Sequence, residues 1–162
     1  MPSASVIRTI YSTLASKTIS VTNSVAYGTK TPPVFDLDAL PDYVDSAKLP
    51  CRLLLPFGTA KAEGRDVHFI ALGNTNKVTW RVIDLLLWRQ VEEGIGVNSV
   101  AADLMTYCAQ YIAMLRANRS LVAQTVIKSV NLTPDMWEYP LGSGIFFWGV
   151  ECALDIDEVL SG

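Results

Sequence analysis

The single imidazole of the chain is His68, so any nucleophilic triad or imidazole-bound metal would have to be built around it. It stands beside Phe69 and Ile70 in a stretch that reads as strand, where a partly buried structural imidazole is expected rather than a general base. A dyad with Cys108 has no motif behind it. Cys51, Cys108 and Cys152 are far apart, with no CxxC pair and no cluster of histidines. That spacing suits neither structural zinc nor a disulfide framework, and each thiol is expected as a small buried apolar group in a reducing compartment. Carboxylates cluster at Asp155, Asp157 and Glu158, but Asp155 and Asp157 alternate with an apolar face, which predicts a solvated strand face rather than a glycosidase pair or a hard-cation site. Asp84 is different. It shares a strand face with Trp80 and Trp88, so it must be paired or reached by solvent, and Arg52, Arg81 and Arg89 are the candidate partners, within one subunit or across two. Gly58 to Gly64 lacks the GK[ST] ending of a phosphate loop, and Gly94-Ile95-Gly96 lacks the third glycine of a dinucleotide fingerprint. The expectation is therefore no catalytic residue, no metal and no cofactor.

Four tryptophans, Trp80, Trp88, Trp137 and Trp148, stand with Tyr107, Tyr111, Phe146 and Phe147 as possible lining for a ligand cavity. Without interleaved Lys and Arg they do not read as a base-stacking platform, and core packing or subunit contact is the better use for them. The competing expectation is a small α+β ligand-binding protein or hydrolase-like enzyme with an aromatic pocket, using His68 or Asp84.

The elements that would position these groups fit one domain over 1–162. A chain of 162 residues is long enough to bury a core without staples, and 50% hydrophobic with 18% charged residues is richer in apolar groups than an ordinary soluble domain. Such a surplus points to part of the outside being covered by other subunits. No apolar run approaches the roughly 20 residues of a membrane helix. The net charge of -3 offers no general attraction to nucleic acid. The charge is unevenly spread: Asp36, Asp38, Asp42 and Asp45 form a short acidic stretch, whereas residues 129–162 hold six acids and no base. That asymmetry suits head-to-tail contact between copies.

Along the chain, Val6, Ile7, Ile10 and Leu14 recur at helical spacing, with Ser3 or Ser5 as N-cap. Thr18 to Tyr27 reads as a strand or extended lead-out. Gly28 to Lys48, with three prolines and four aspartates, reads as a long irregular arm and the foremost contact element. Leu49 to Phe57, bracketed by Pro50 and Pro56, suits an edge strand or a strand end. Asp66 to Leu72 and Lys77 to Gln90 read as a hairpin. The middle of the second arm is apolar on both faces, which predicts cover by a helix on one side and by a neighbouring subunit on the other. Ser99 is expected to cap a helix running to about Asn118, with Asp103 in its first turns and Arg116 and Arg119 at its far end. Val122 to Leu132 reads as a strand followed by a turn around Pro134 and Asp135, with Met136 to Pro140 as its candidate continuation. In the closing segment Phe146, Trp148, Val150, Cys152, Leu154 and Ile156 should share one face. The fold class is α+β, a twisted antiparallel or mixed sheet packed against one main amphipathic helix plus an N-terminal helix.

This order of elements resembles the phage neck and tail-completion proteins, in particular the tail terminators or tail-to-head joining proteins. The resemblance rests on the opening helix from Val6 to Leu14, the strands Leu49 to Pro56 and Val78 to Trp88, the helix Ser99 to Leu115 and the closing strand from Phe147 to Ile156. It covers most of the chain. It implies a virion structural protein, assembled in the host cytoplasm, that forms a homo-hexameric ring without enzymatic activity. The ring would cap the tail tube protein and join it to the head-tail connector or stopper protein, with no membrane and no sequence-specific nucleic acid as partner. The residues expected at such contacts lie in loops: Asp36, Asp38, Asp42 and Asp45 in the arm, Lys61, Glu63 and Arg65 in a charged turn, and Glu92 and Glu93 after the long strand.

Overall fold

The computed structural model describes residues 5–56, 70–72 (backbone alone), 77–92 and 96–160. His68, Lys61, Glu63, Arg65 and Glu93, together with the turn 58–64 and the hairpin connection 73–76, lie outside the described residues.

The described chain is α+β. Helix α1 spans Ile7–Ala15 and helix α2 Ala101–Ala117. Strands β1 (Val21–Ser24) and β2 (Gly28–Lys30) make a small antiparallel ribbon. The main sheet holds β3 (Val34–Phe35), β4 (Cys51–Leu55), β6 (Lys77–Gln90), β8 (Phe146–Val159) and β7 (Thr125–Glu138), in the order β3-β4-β6-β8-β7. A further short strand, β5 (Ile70–Leu72), pairs with the start of β6, as the hairpin reading expected. Only β3 and β4 run parallel, so the sheet is mixed.

The strict alternation of side chains along a strand sends one row to each face. In β6, Val82, Leu86 and Trp88 join a core beneath the helices, whereas Ile83, Leu85 and Leu87 join a second core on the other face. The helix-side core takes Ile10, Tyr11 and Leu14 from α1, Leu104, Tyr107, Tyr111 and Leu115 from α2, and Val150, Cys152, Leu154 and Ile156 from β8. Each fully buried side chain of this size contributes about 1.5–3 kcal/mol. Phe146 departs from the face expected of it: it is exposed, and Phe147 enters the second core instead.

The second face of β6 was expected to be covered by a neighbouring subunit, and the chain's own arm covers it instead. Val44 is buried there beside Trp137 and Tyr139, with Phe35, Leu40 and Leu49 packed around it. The Tyr139 hydroxyl donates to the Pro41 carbonyl. The 28–48 segment is therefore not irregular throughout. It contains β2, β3 and short 3-10 turns at Leu37–Ala39 and Ser46–Lys48, each opened by an aspartate. The Asp36 carboxylate accepts from the Leu37 N–H, and that of Asp45 from the Lys48 N–H. Local cues of proline and aspartate announce such turns but not the parallel pairing of Val34 with Arg52, which depends on a strand from outside the arm.

Three more expectations need correction. Strand β4 is not an edge: it lies between β3 and β6, all five of its residues are buried, and Pro50 and Pro56 stand just outside it. Ser99 does not cap α2, because a 3-10 turn over Val97–Ser99 precedes the helix and Val100 takes the cap position without a side-chain bond. Pro134 does not turn the chain. Strand β7 runs through it to Glu138, and this is possible because β7 is the outermost strand, where a missing N–H breaks no ladder.

Candidate functional site

Buried ionic groups come first, because they are where chemistry would be sought. Arg52 on β4 and Asp84 on β6 occupy diagonal positions on the helix-side face, since Leu54 is opposite Asp84 and Arg52 opposite Leu86. Both side chains are 0% exposed and form a two-pronged ion pair, Nη2 to Oδ2 at 2.5 Å and Nε to Oδ1 at 3.3 Å. The Tyr111 hydroxyl donates to Asp84 Oδ2 at 2.8 Å, and Arg52 Nη1 donates to the Lys17 carbonyl. Of the three arginines expected as partners, it is Arg52, within the subunit. Burial works against the Arg52 charge, but the adjacent Asp84 carboxylate outweighs it and holds the guanidinium above its ordinary value. Burial, reinforced by Asp84, pushes the Tyr107 and Tyr111 phenols well up. The cluster is thus a locked polar joint between sheet and helix.

Two further carboxylates do similar work. Asp103 on α2 is buried and accepts from the Val25 N–H at 2.9 Å and the Trp88 indole N–H at 3.1 Å. It ties the β1–β2 turn to the sheet, and the Tyr27 ring stands edge-on to Trp88 at 5.2 Å. Glu158 gathers four donors: the Val6 N–H at 2.7 Å, the Ser5 hydroxyl, the Trp80 indole at 2.8 Å and the Gln124 amide. It pins the start of α1 from the far end of the chain. Asp157 accepts from the Thr79 hydroxyl at 2.6 Å and pairs with Lys77. The expectation of a solvated carboxylate face therefore fails for Asp157, which is buried as Glu158 beside it is, while the partly exposed Asp155 pairs with Arg81.

Burial alone would raise the Glu158 carboxyl, yet its donors, the Val6 N–H foremost, bring it below its ordinary 4.5. A carboxylate depressed in the folded state stabilises the fold above its unfolded value, and that contribution is lost as pH falls from there through the folded value. Glu158→Gln should accordingly flatten the fall in stability between about pH 5 and pH 3, read by urea unfolding at stepped pH. An unaltered acid limb would remove Glu158 from the account.

The cysteines are free. Burial pushes the Cys51 thiol up to about 12 and that of Cys152 well up. Under native conditions a thiol reagent should label Cys108, the half-buried one, far ahead of the other two, and reach all three only on denaturation. Fast native labelling of Cys51 or Cys152 would contradict the packing.

Among residues expected at contacts, the arm aspartates fall into two pairs. Asp36 and Asp45 are engaged in capping their own turns, and Asp45 also lies 3.6 Å from Lys48. Asp38 and Asp42 face outward: Asp38 meets Arg8 at 2.8 Å on the open surface, and Asp42 edges a shallow hollow with Pro41, Tyr139 and Leu141. Glu92 is exposed just past β6.

The sequence reading missed a second surface. On the helix side of the sheet, the end of α2 and the start of β7 enclose a groove of about 370 Å³ with Ile112 and Val126 as apolar walls and Arg116, Arg119 and Lys128 on its rim. The available signal was that residues 116–128 carry three bases and no acid. The aromatics, meanwhile, are divided: Trp88, Tyr107 and Tyr111 belong to the helix-side core, Trp137 and Phe147 to the other. Comparison with family models, curated proteins and solved structures finds no match.

Proposed function

We propose that this chain is a virion structural subunit of the phage neck, a tail terminator-like protein that closes with its copies into a ring, caps the tail tube and meets the head connector. The reading draws on the resemblance in element order. The observation that carries it is the placement of the arm. Its core residues fasten it around the β3 edge of the sheet, Leu37 against the helix-side core and Val44 and Leu40 against the other, its two capping aspartates hold its turns in shape, and Asp38 and Asp42 are thereby presented at the surface. A rigid charged projection of this kind serves contact with a partner better than turnover of a small molecule. The buried ionic groups support the same reading, because Asp84, Asp103 and Glu158 already accept internal hydrogen bonds.

Particle mass in solution with negative-stain microscopy tests the proposal. The expected result is a closed ring, six-fold in projection; a monomer at every attainable concentration would overturn it. Asp38→Asn with Asp42→Asn should weaken assembly and leave the circular dichroism spectrum of the subunit unchanged, since neither residue caps a turn. Intact assembly in that double variant would exclude the arm as a contact.

A further inference from the structure

We infer that the groove between α2 and β7 is the seat for the acidic segment 36–45 of a second copy of this chain, an inference that rests on the self-assembly reading above. Charge complementarity identifies the occupant. The rim carries Arg116, Arg119 and Lys128, for which no ion pair is formed among the described residues, and the segment 36–45 carries four aspartates and no base. The walls are apolar where the rim is not: Ile112 is 44% and Val126 50% exposed. The segment offers a matching apolar group in Tyr43, 60% exposed between Asp42 and Val44.

The two surfaces cannot meet within one subunit, because the groove lies beside β7 and the arm beside β3, at opposite edges of the main sheet with β4, β6 and β8 between them. A contact between unlike patches is heterologous, so it repeats from copy to copy and generates a ring where the rotation closes. Docking proceeds through side chains rather than by strand addition. Although β7 is the open edge of the sheet, the Ile127 N–H is already held by the Arg119 carbonyl, Pro134 has no N–H to give, and Lys128 guards the strand. The groove includes no aromatic ring on which a base would stack, which favours an acidic protein segment over single-stranded nucleic acid.

The test is a charge swap read by sedimentation velocity at low and high salt. Arg116→Glu with Arg119→Glu should weaken association roughly tenfold or more, as should Asp38→Lys with Asp42→Lys. Mixing the two variants should restore assembly, because each reversed groove then faces a reversed arm and each native groove a native arm, so that the two variants alternate from copy to copy. Wild-type assembly unaffected by either reversal overturns the groove as the seat and leaves the ring proposal standing, whereas a wild type monomeric at all concentrations overturns both. If the groove reversal abolishes retention of a single-stranded oligonucleotide but not self-association, the groove is a nucleic-acid surface and the inference fails.

Discussion

Arg52→Met should destabilise the subunit by about 3–5 kcal/mol, the usual cost of stranding one member of a buried pair. The reason is electrostatic rather than volumetric. Methionine fills much of the same space, but the Asp84 carboxylate would keep only the Tyr111 hydroxyl as partner, in a site with no solvent contact. Against a total stability of about 5–15 kcal/mol this is a large fraction. Denaturant unfolding would register it as a lowered midpoint with an unchanged slope. Removing both charges, in Arg52→Met with Asp84→Leu, should recover most of the loss, since the pair is replaced by apolar packing and what is left is the Tyr111 hydroxyl without its acceptor and the Lys17 carbonyl without its donor. A single variant costing under about 1 kcal/mol would mean that water reaches the site on unfolding time scales and that the pair is not truly sealed.

The second large effect is expected at Gly149, where the cause is backbone proximity. Gly149 lies opposite Leu87 in the β6–β8 ladder, beside the point where the register shifts at Trp88. A Cβ built on it would come within 1.9 Å of the Leu86 carbonyl oxygen. No rotamer change relieves a clash with main chain, so Gly149→Ala must push apart two 14-residue strands, β6 and β8, in the interior of the sheet. Overpacking of a core costs about 1–3 kcal/mol when side chains can adjust, and here the upper end or beyond is expected. Thermal unfolding should drop by several degrees, and amide exchange should quicken along β6 and β8 in particular. An alanine variant of wild-type stability would show that the strands can slide at this point, and the bulge would then be soft rather than fixed.

How much of this could be read from residue order differs element by element. Helix α2 and the long strands were legible because their patterns are local: a stripe from Leu104 to Leu115 at helical spacing, and alternation from Val150 to Ile156 at period two. The pairing of Asp84 was legible as a necessity, since a carboxylate among tryptophans must have a partner, yet three arginines satisfied that necessity equally in sequence. Pro134 misled because proline signals a turn unless the strand is outermost, and strand order is not a local property. Asp157 misled for a related reason. Its alternation with Leu154 and Ile156 is that of a wet face, but its donor Thr79 comes from 78 residues away, and Glu158 beside it draws on Val6, 152 residues away.

The sequence by itself determined where the two helices and the strands β6 and β8 lie, that both faces of β6 must be covered, and that the charge of the chain is segregated. Tertiary structure alone decided what does the covering, which arginine meets Asp84, and that the acidic arm and the basic groove fall at opposite edges of one sheet. Periodicity is written in neighbouring residues, whereas the identity of a partner is settled by which distant segment arrives, and burial then enforces the choice because an unpaired ion in the interior is too costly to keep.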